Sequence, residues 1–315
     1  MIRNGNNKAK KPFVLRTPDG AVVAGSLTFA YKAPKTGDWI EVINEAKYYN
    51  NPAIYDTRVK AAYPNAMYAQ DIGLTIKRFL KGLGYNADNT LMSLSVCADD
   101  VNAPNFPNVD NLGQHPLSLN NFLGPFMSGG LAGYPHTGIT GLGAYASHVT
   151  DTGHLFVFNM PHIGISSNGT VGSIIRRGQT GQNTSCGAVL AAVTWVLANG
   201  SAPTFPSVAF PENDYQQFLL TDILFPTKAA LAALTTTAAR MVAATETIRA
   251  AGETFLTGAT GIQAIAGLTK DVFFCSGIFI NVDDSYLPYI TITSFKKWTV
   301  ADGWVDITSA FNSTV

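Results

Sequence analysis

Apolar positions along the chain follow two rhythms. Between residues 57 and 83, Ile72, Ile76, Phe79, Leu80 and Leu83 recur three and four apart. That spacing lines up one stripe of a helix, interrupted at Pro64 and stopped at Gly84. LMSLSVC (91–97) alternates instead and predicts a strand ending at Cys97. HLFVFNMPHIGI (154–165) is almost continuously apolar, as a strand covered on both faces is. Ser-Ser-Asn-Gly-Thr follows it and predicts a hairpin turn, because Asn-Gly accepts positive φ, with VGSII (171–175) as the returning strand. CGAVLAAVTWVLANG (186–200) and residues 227–255 read as helices, the second capped by Thr227. VFFCSGIFINV and YITITSF read as late strands, while the Asn- and Pro-rich residues 101–126 read as loop. Strands and helices alternate without a repeat or a dividing linker. The expectation is α/β: a flexible tail over residues 1–12, then a single domain over 13–315 with a mainly parallel central sheet flanked by helices.

Composition narrows the function classes. Nearly half the residues are apolar (46%), 13% are charged and the formal net charge is zero. Such a chain buries a large core and has no electrostatic footprint for nucleic acid. No apolar run approaches the roughly 20 residues of a membrane helix. The basic N-terminal stretch lacks the apolar centre of a secretory signal. Three cysteines in 315 residues argue against a disulfide framework and for a soluble, reducing compartment, cytoplasm or plastid stroma.

The candidate chemistry lies at element ends. Cys97 and Asp99, two apart, project to the same side of an extended chain. His162 closes an apolar strand. Cys186 opens a helix, whose exposed N–H groups favour a thiolate. Two thiolates and an imidazole make a zinc set, and three protein ligands with a fourth position open is the catalytic pattern. Buried free cysteines are also common core filler, the natural reading of Cys275 in FFCSGIFI. His136 and His148 are alternative ligands; His115 and His154 read as surface or turn residues, and Asp100 as a solvated acid. The glycine-rich MSGGLAGYPHTGITGLGAY has neither GK[ST] nor G-x-G-x-x-G, so it reads as close backbone packing or a pocket wall, not a phosphate cradle.

LSVCADDVN, then GGLAGYPHTGITGLGAYASHVTDTGHLFVFNMPHIGIS, then GQNTSCGA, in that order, resemble the limiting-CO2-inducible B protein family of theta-type carbonic anhydrases. The resemblance covers roughly residues 55–300 and implies a β-carbonic-anhydrase-like fold. It further implies Zn2+ held by Cys97, His162 and Cys186, and reversible hydration of CO2 to bicarbonate by a zinc-bound hydroxide. Asp99 would be the catalytic carboxylate, orienting the zinc-bound water, and the protein a homodimer. In β-type enzymes an Arg pairs with this Asp and holds it off the metal. Here no Arg or Lys lies between Lys81 and Arg176. Arg58, Arg78, Arg176 and Arg177 are the candidates, and without one of them Asp99 closes the site. Two other readings remain. One is a zinc-containing relative that acts in inorganic-carbon handling through protein contacts. The other is a cysteine hydrolase with Cys186 as nucleophile, His162 as base and Asp99 as orienter.

Overall fold

The computed structural model describes residues 11–16, 22–32, 39–42, 51–85, 89–102, 123–127, 129–147, 153–176, 179–261, 271–283 and 286–314. Strands β1 (Lys11–Arg16), β2 (Val22–Lys32) and β3 (Trp39–Val42) form an antiparallel sheet of their own. Lys11 and Pro12, assigned above to the tail, therefore open a strand. β1 is an edge, where a proline's missing N–H costs no ladder bond.

The central sheet has the order β13-β12-β11-β7-β5-β6. Its members are β5 (Thr90–Val96), β6 (Leu123–Met127), β7 (His154–Met160), β11 (Val272–Asn281), β12 (Tyr289–Thr299) and β13 (Gly303–Asp306). Two short strands join it: β4 (Met67–Tyr68) on β12 and β8 (His162–Gly164) on β11. β6, β5, β7, β11 and β8 pair in parallel, and β12, β13 and β4 add antiparallel pairs. The parallel core with hairpin additions matches the expectation. β6, inside the predicted loop, does not.

Burial explains the composition of these strands. Every residue of β5 and β11 is buried. On one face Met92, Leu94, Phe156, Phe158 and Phe273 pack with Ile72, Ile76 and Leu80 of α2 (Ala69–Gly82) and Phe311 of α8 (Thr308–Asn312). On the other, Leu91, Leu155, Val157 and Phe274 meet Leu142 and Ala146 of α3 (Ile139–Ala146) and Leu256 of α7 (Thr237–Thr257). Each such side chain contributes about 1.5–3 kcal/mol of burial.

Several boundaries differ from the pattern. The 57–83 helix is two, α1 (Ala53–Ala62) and α2, broken around Pro64. The 227–255 helix is also two, α6 (Lys228–Ala233) and α7. The side-chain cap belongs to Thr236, which accepts from Ala239 N, while the Thr227 hydroxyl turns back to Leu224 O. α4 (Gly187–Ala198) and α5 (Tyr215–Leu224) lie between. The glycine-rich stretch carries α3, which its small residues had hidden. It also packs closely as expected: a Cβ at Gly129 would lie 2.3 Å from Val96 O, and Gly133 has φ +76. Ile165 bridges Val171 across the Asn-Gly turn, but β9 (Ser173–Ile175) takes β10 (Gln182–Thr184) as its partner.

Candidate metal centre

The strand order sets the site. β5 connects to β6 on one side, and β7 then returns to β5's other flank. Where the order reverses, the loops leaving two neighbouring strands diverge and open a crevice at their C-terminal ends. The last β5–β7 pair is Val96 with Met160. Beyond it Pro161, which has no N–H, interrupts the ladder. β8 then continues on β11 in unchanged register, with Asn159 opposite Ser276 and His162 opposite Phe279. Cys97 and His162 thus stand just past the ends of β5 and β7, on the two sides of the crevice. This is why an apolar strand ends on an imidazole.

Cys186, the N-cap residue of α4, completes the group. Among the described residues, Cys97, His162 and Cys186 form the one cluster whose potential ligand atoms all lie within 4.8 Å of one another, and all three are buried. Cys97 Sγ is 3.8 Å from Cys186 Sγ. Two thiolates at about 2.3 Å from a shared ion, at the tetrahedral angle, stand about 3.8 Å apart. Ala132 N donates to Cys97 Sγ at 3.0 Å. The two thiols do not ionise together. A hydrogen bond from Cys97 pushes its own pKa up and holds Cys186 well below the usual thiol value, with the α4 N–H groups helping. Burial disfavours the charged form of His162, but the Cys186 thiolate outweighs it and raises the imidazole pKa.

The histidine's tautomer follows from a chain of bonds. Cys97 O can only accept, so Asn102 turns its Nδ2 toward it, at 3.4 Å. Asn102 Oδ1 then accepts from Asn281 Nδ2 at 3.2 Å. Asn281 Oδ1 is left to accept from His162 Nδ1–H at 2.7 Å. In the neutral ring Nε2 therefore carries the lone pair, and this buried atom has no hydrogen-bond partner in good geometry. A ligating nitrogen with its partner nitrogen pinned is the arrangement a metal-binding histidine needs.

Asp99 Oδ2 lies 3.6 Å from His162 Nε2. Its carboxylate is held by Arg176, Nη1 on Oδ1 at 3.0 Å and Nη2 on Oδ2 at 3.2 Å, while Nη2 also donates to Thr184 O at 2.9 Å. Of the four candidate arginines it is Arg176 that reaches Asp99; Arg177 lies outside the described residues. The other candidate ligands fall elsewhere. His136 packs 5.0 Å from the Phe255 ring, and His154, half-buried rather than at the surface, stands edge-on to Tyr85. Cys275 is fully buried among aromatic side chains, which drives its thiol pKa well up. His115 and His148 lie outside the described residues. Asn281 and Asn102 escaped the sequence reading, since an asparagine carries no signal until its partner is known.

A family model described as limiting CO2-inducible proteins B/C β-carbonic anhydrases matches residues 66–299. The chain belongs to this family. Among solved structures, PtLCIB4, a homolog of the limiting CO2-inducible protein LCIB, shares 27% identity with a TM-score of 0.66, over 79% of this chain and 98% of its own. LCIB itself shares the fold at 20% identity and a TM-score of 0.56, over 78% of this chain and 96% of its own. A search of curated proteins found no match. The residues matched by the family model take in the crevice, from β5 to the end of β12. No helix among the described residues is long and apolar enough to cross a membrane.

Proposed function

We propose that the protein is a zinc-dependent carbonic anhydrase that interconverts CO2 and bicarbonate, with Cys97, His162 and Cys186 holding Zn2+ and Asp99 as the catalytic carboxylate. The observation that carries this reading is the Arg176–Asp99 pair beside an unpartnered His162 Nε2. With both oxygens engaged by a guanidinium, Asp99 is kept from serving as a fourth protein ligand, and the site keeps an open position. A bound zinc supplies a Lewis acid that brings the pKa of water down toward neutrality, less far with two thiolates than with three imidazoles.

The chain's own residues do the rest. Asn281 holds the His162 ring so that Nε2 faces the crevice. Asp99 accepts a hydrogen bond from the attacking water and so aims its lone pair. Cys97 and Cys186 belong to the same packed cluster as Ala132, Ile163 and Val189. Those apolar walls suit CO2, which is linear and weakly solvated. The cysteine-hydrolase reading gives Cys97 no task, although its sulfur touches Cys186. We infer that the protein assembles as a homodimer, and light scattering at twice the chain mass checks this.

The deciding experiment is metal content per chain followed by stopped-flow CO2 hydration on the same sample. About one zinc per chain with fast hydration is the expected result. Zinc without hydration refutes the enzyme and favours the family member that acts through protein contacts. Activity that survives a chelator but not a thiol alkylator returns the hydrolase.

A further inference from the structure

Past the end of β11 stands a carboxylate the mechanism has not used. Asp283 is 5% exposed. Its Oδ1 accepts from Ile175 N at 2.7 Å, and its Oδ2 accepts from Tyr55 Oη at 2.7 Å and Ser167 N at 3.0 Å. Burial alone would raise its pKa, but these donors, joined by the Ser167 hydroxyl, outweigh burial and hold it below the ordinary carboxylate value. All three donors are neutral. A carboxylate is the one side chain of this size that meets three donors with no donor of its own, whereas an asparagine would turn an NH2 toward one of them.

What Asp283 ties together bears on the metal centre. Ile175 ends β9, and the next residue is Arg176. Ser167 belongs to the Asn-Gly turn that leads into the same strand, and Tyr55 belongs to α1. Asp283 thus clamps the Asn-Gly turn and the end of β9 onto the exit of β11, two residues beyond the Asn281 that orients His162.

We propose that Asp283 is a positioning residue for Arg176. By fixing the Ile175 peptide it sets where the guanidinium sits, and so whether Asp99 is held off the metal. This rests on the open-site reading above. It gives one strand end control of both halves of the site, the ligand tautomer through Asn281 and the open position through Asp283.

The test is Asp283→Asn in the full chain, read in two ways. In metal-free protein, 15N NMR of the Arg176 guanidinium reports the bidentate pair as separate, slowly exchanging Nη signals. These should merge in the variant. In cobalt-loaded protein, iodide titration of the visible spectrum reports an open coordination position. The variant should respond about tenfold or more weakly, the usual size of an outer-shell effect. Asp283→Asn combined with Asp99→Ala should recover the response, which loss of general stability would not do. Wild-type-like Nη signals in Asp283→Asn overturn the proposal, as does a double variant that stays unresponsive. If Asp283→Asn does not fold, Tyr55→Phe removes one of the three donors and should shift both readouts the same way by less; no shift overturns the proposal. A wild-type cobalt protein that ignores iodide refutes the open site, while the NMR arm still decides whether Asp283 holds Arg176.

Discussion

Replacing Asn281 by Leu isolates the tautomer chain. Leucine keeps the branched heavy-atom skeleton, though it is bulkier, but offers no acceptor to His162 Nδ1–H, now bonded at 2.7 Å, and no donor to Asn102 Oδ1, at 3.2 Å. His162 is 1% exposed, so no solvent water replaces the lost partner. Leaving a buried N–H unpaired costs about 1–3 kcal/mol, and the ring can relieve that cost by moving its proton to Nε2. In that tautomer the nitrogen facing Cys97 and Cys186 has no lone pair. Metal binding must then restore the Nδ1–H form and repay the same energy, so zinc affinity falls by about 10- to 100-fold. Competition with a chromophoric chelator measures this without reference to activity. Asn281→Asp retains an acceptor for Nδ1–H and should keep affinity within about threefold of wild type. Equal zinc affinity in Asn281→Leu and wild type would sink the argument, as would equal losses in the Leu and Asp variants.

The remaining predictions concern the ligands, the Arg–Asp pair and acid stability. Cys186→Ala and His162→Ala should each abolish stoichiometric zinc by mass spectrometry of the native protein while circular dichroism is retained; full metal in His162→Ala would remove it from the ligand set. Arg176→Ala forfeits a two-pronged charged bond of about 2–3 kcal/mol, so stopped-flow kcat/KM should fall about 30-fold or more with zinc still bound. Unchanged kcat/KM would show that the pair does not matter for turnover. Glu253 meets Lys296 at 2.7 Å and Arg249 at 2.5 Å. Burial raises its pKa, but Lys296, Ser294 and Arg249 together bring it below the ordinary value. Its stabilisation is therefore present above the ordinary glutamate pKa of about 4.3 and lost as pH falls through the lower folded-state pKa. The Tm gap between wild type and Glu253→Gln should be level near neutrality and close in acid; a gap that widens in acid would contradict the sign.

The three donors were legible because each announced itself locally. A thiol closing an alternating strand, an imidazole closing an apolar one and a thiol opening a helix are all visible within a few residues. Their meeting follows from strand order, which alternating elements make predictable. Arg176 was one of four candidates, because nothing near it in sequence says which cation crosses to Asp99. Asn102, Asn281 and Asp283 were invisible for the same reason: their roles lie in partners up to 228 positions away. α3 was masked by its glycines, and the break before α7 by residues of good helix propensity on both sides.

Cys97, His162 and Cys186 come from the ends of two strands and the start of a helix, 89 residues apart at the extremes. No two of them are close enough in sequence to grip an ion while the chain is still open. The donor set exists only after β7 has settled between β5 and β11 and α4 has docked above them. On the proposed function metal would arrive last: it could not template this chain as it does a zinc finger, and stripping it should leave the sheet standing. Its influence on the fold is by mass action, raising the melting temperature with free metal concentration above the dissociation constant. For a cell, that separates making the protein from arming it.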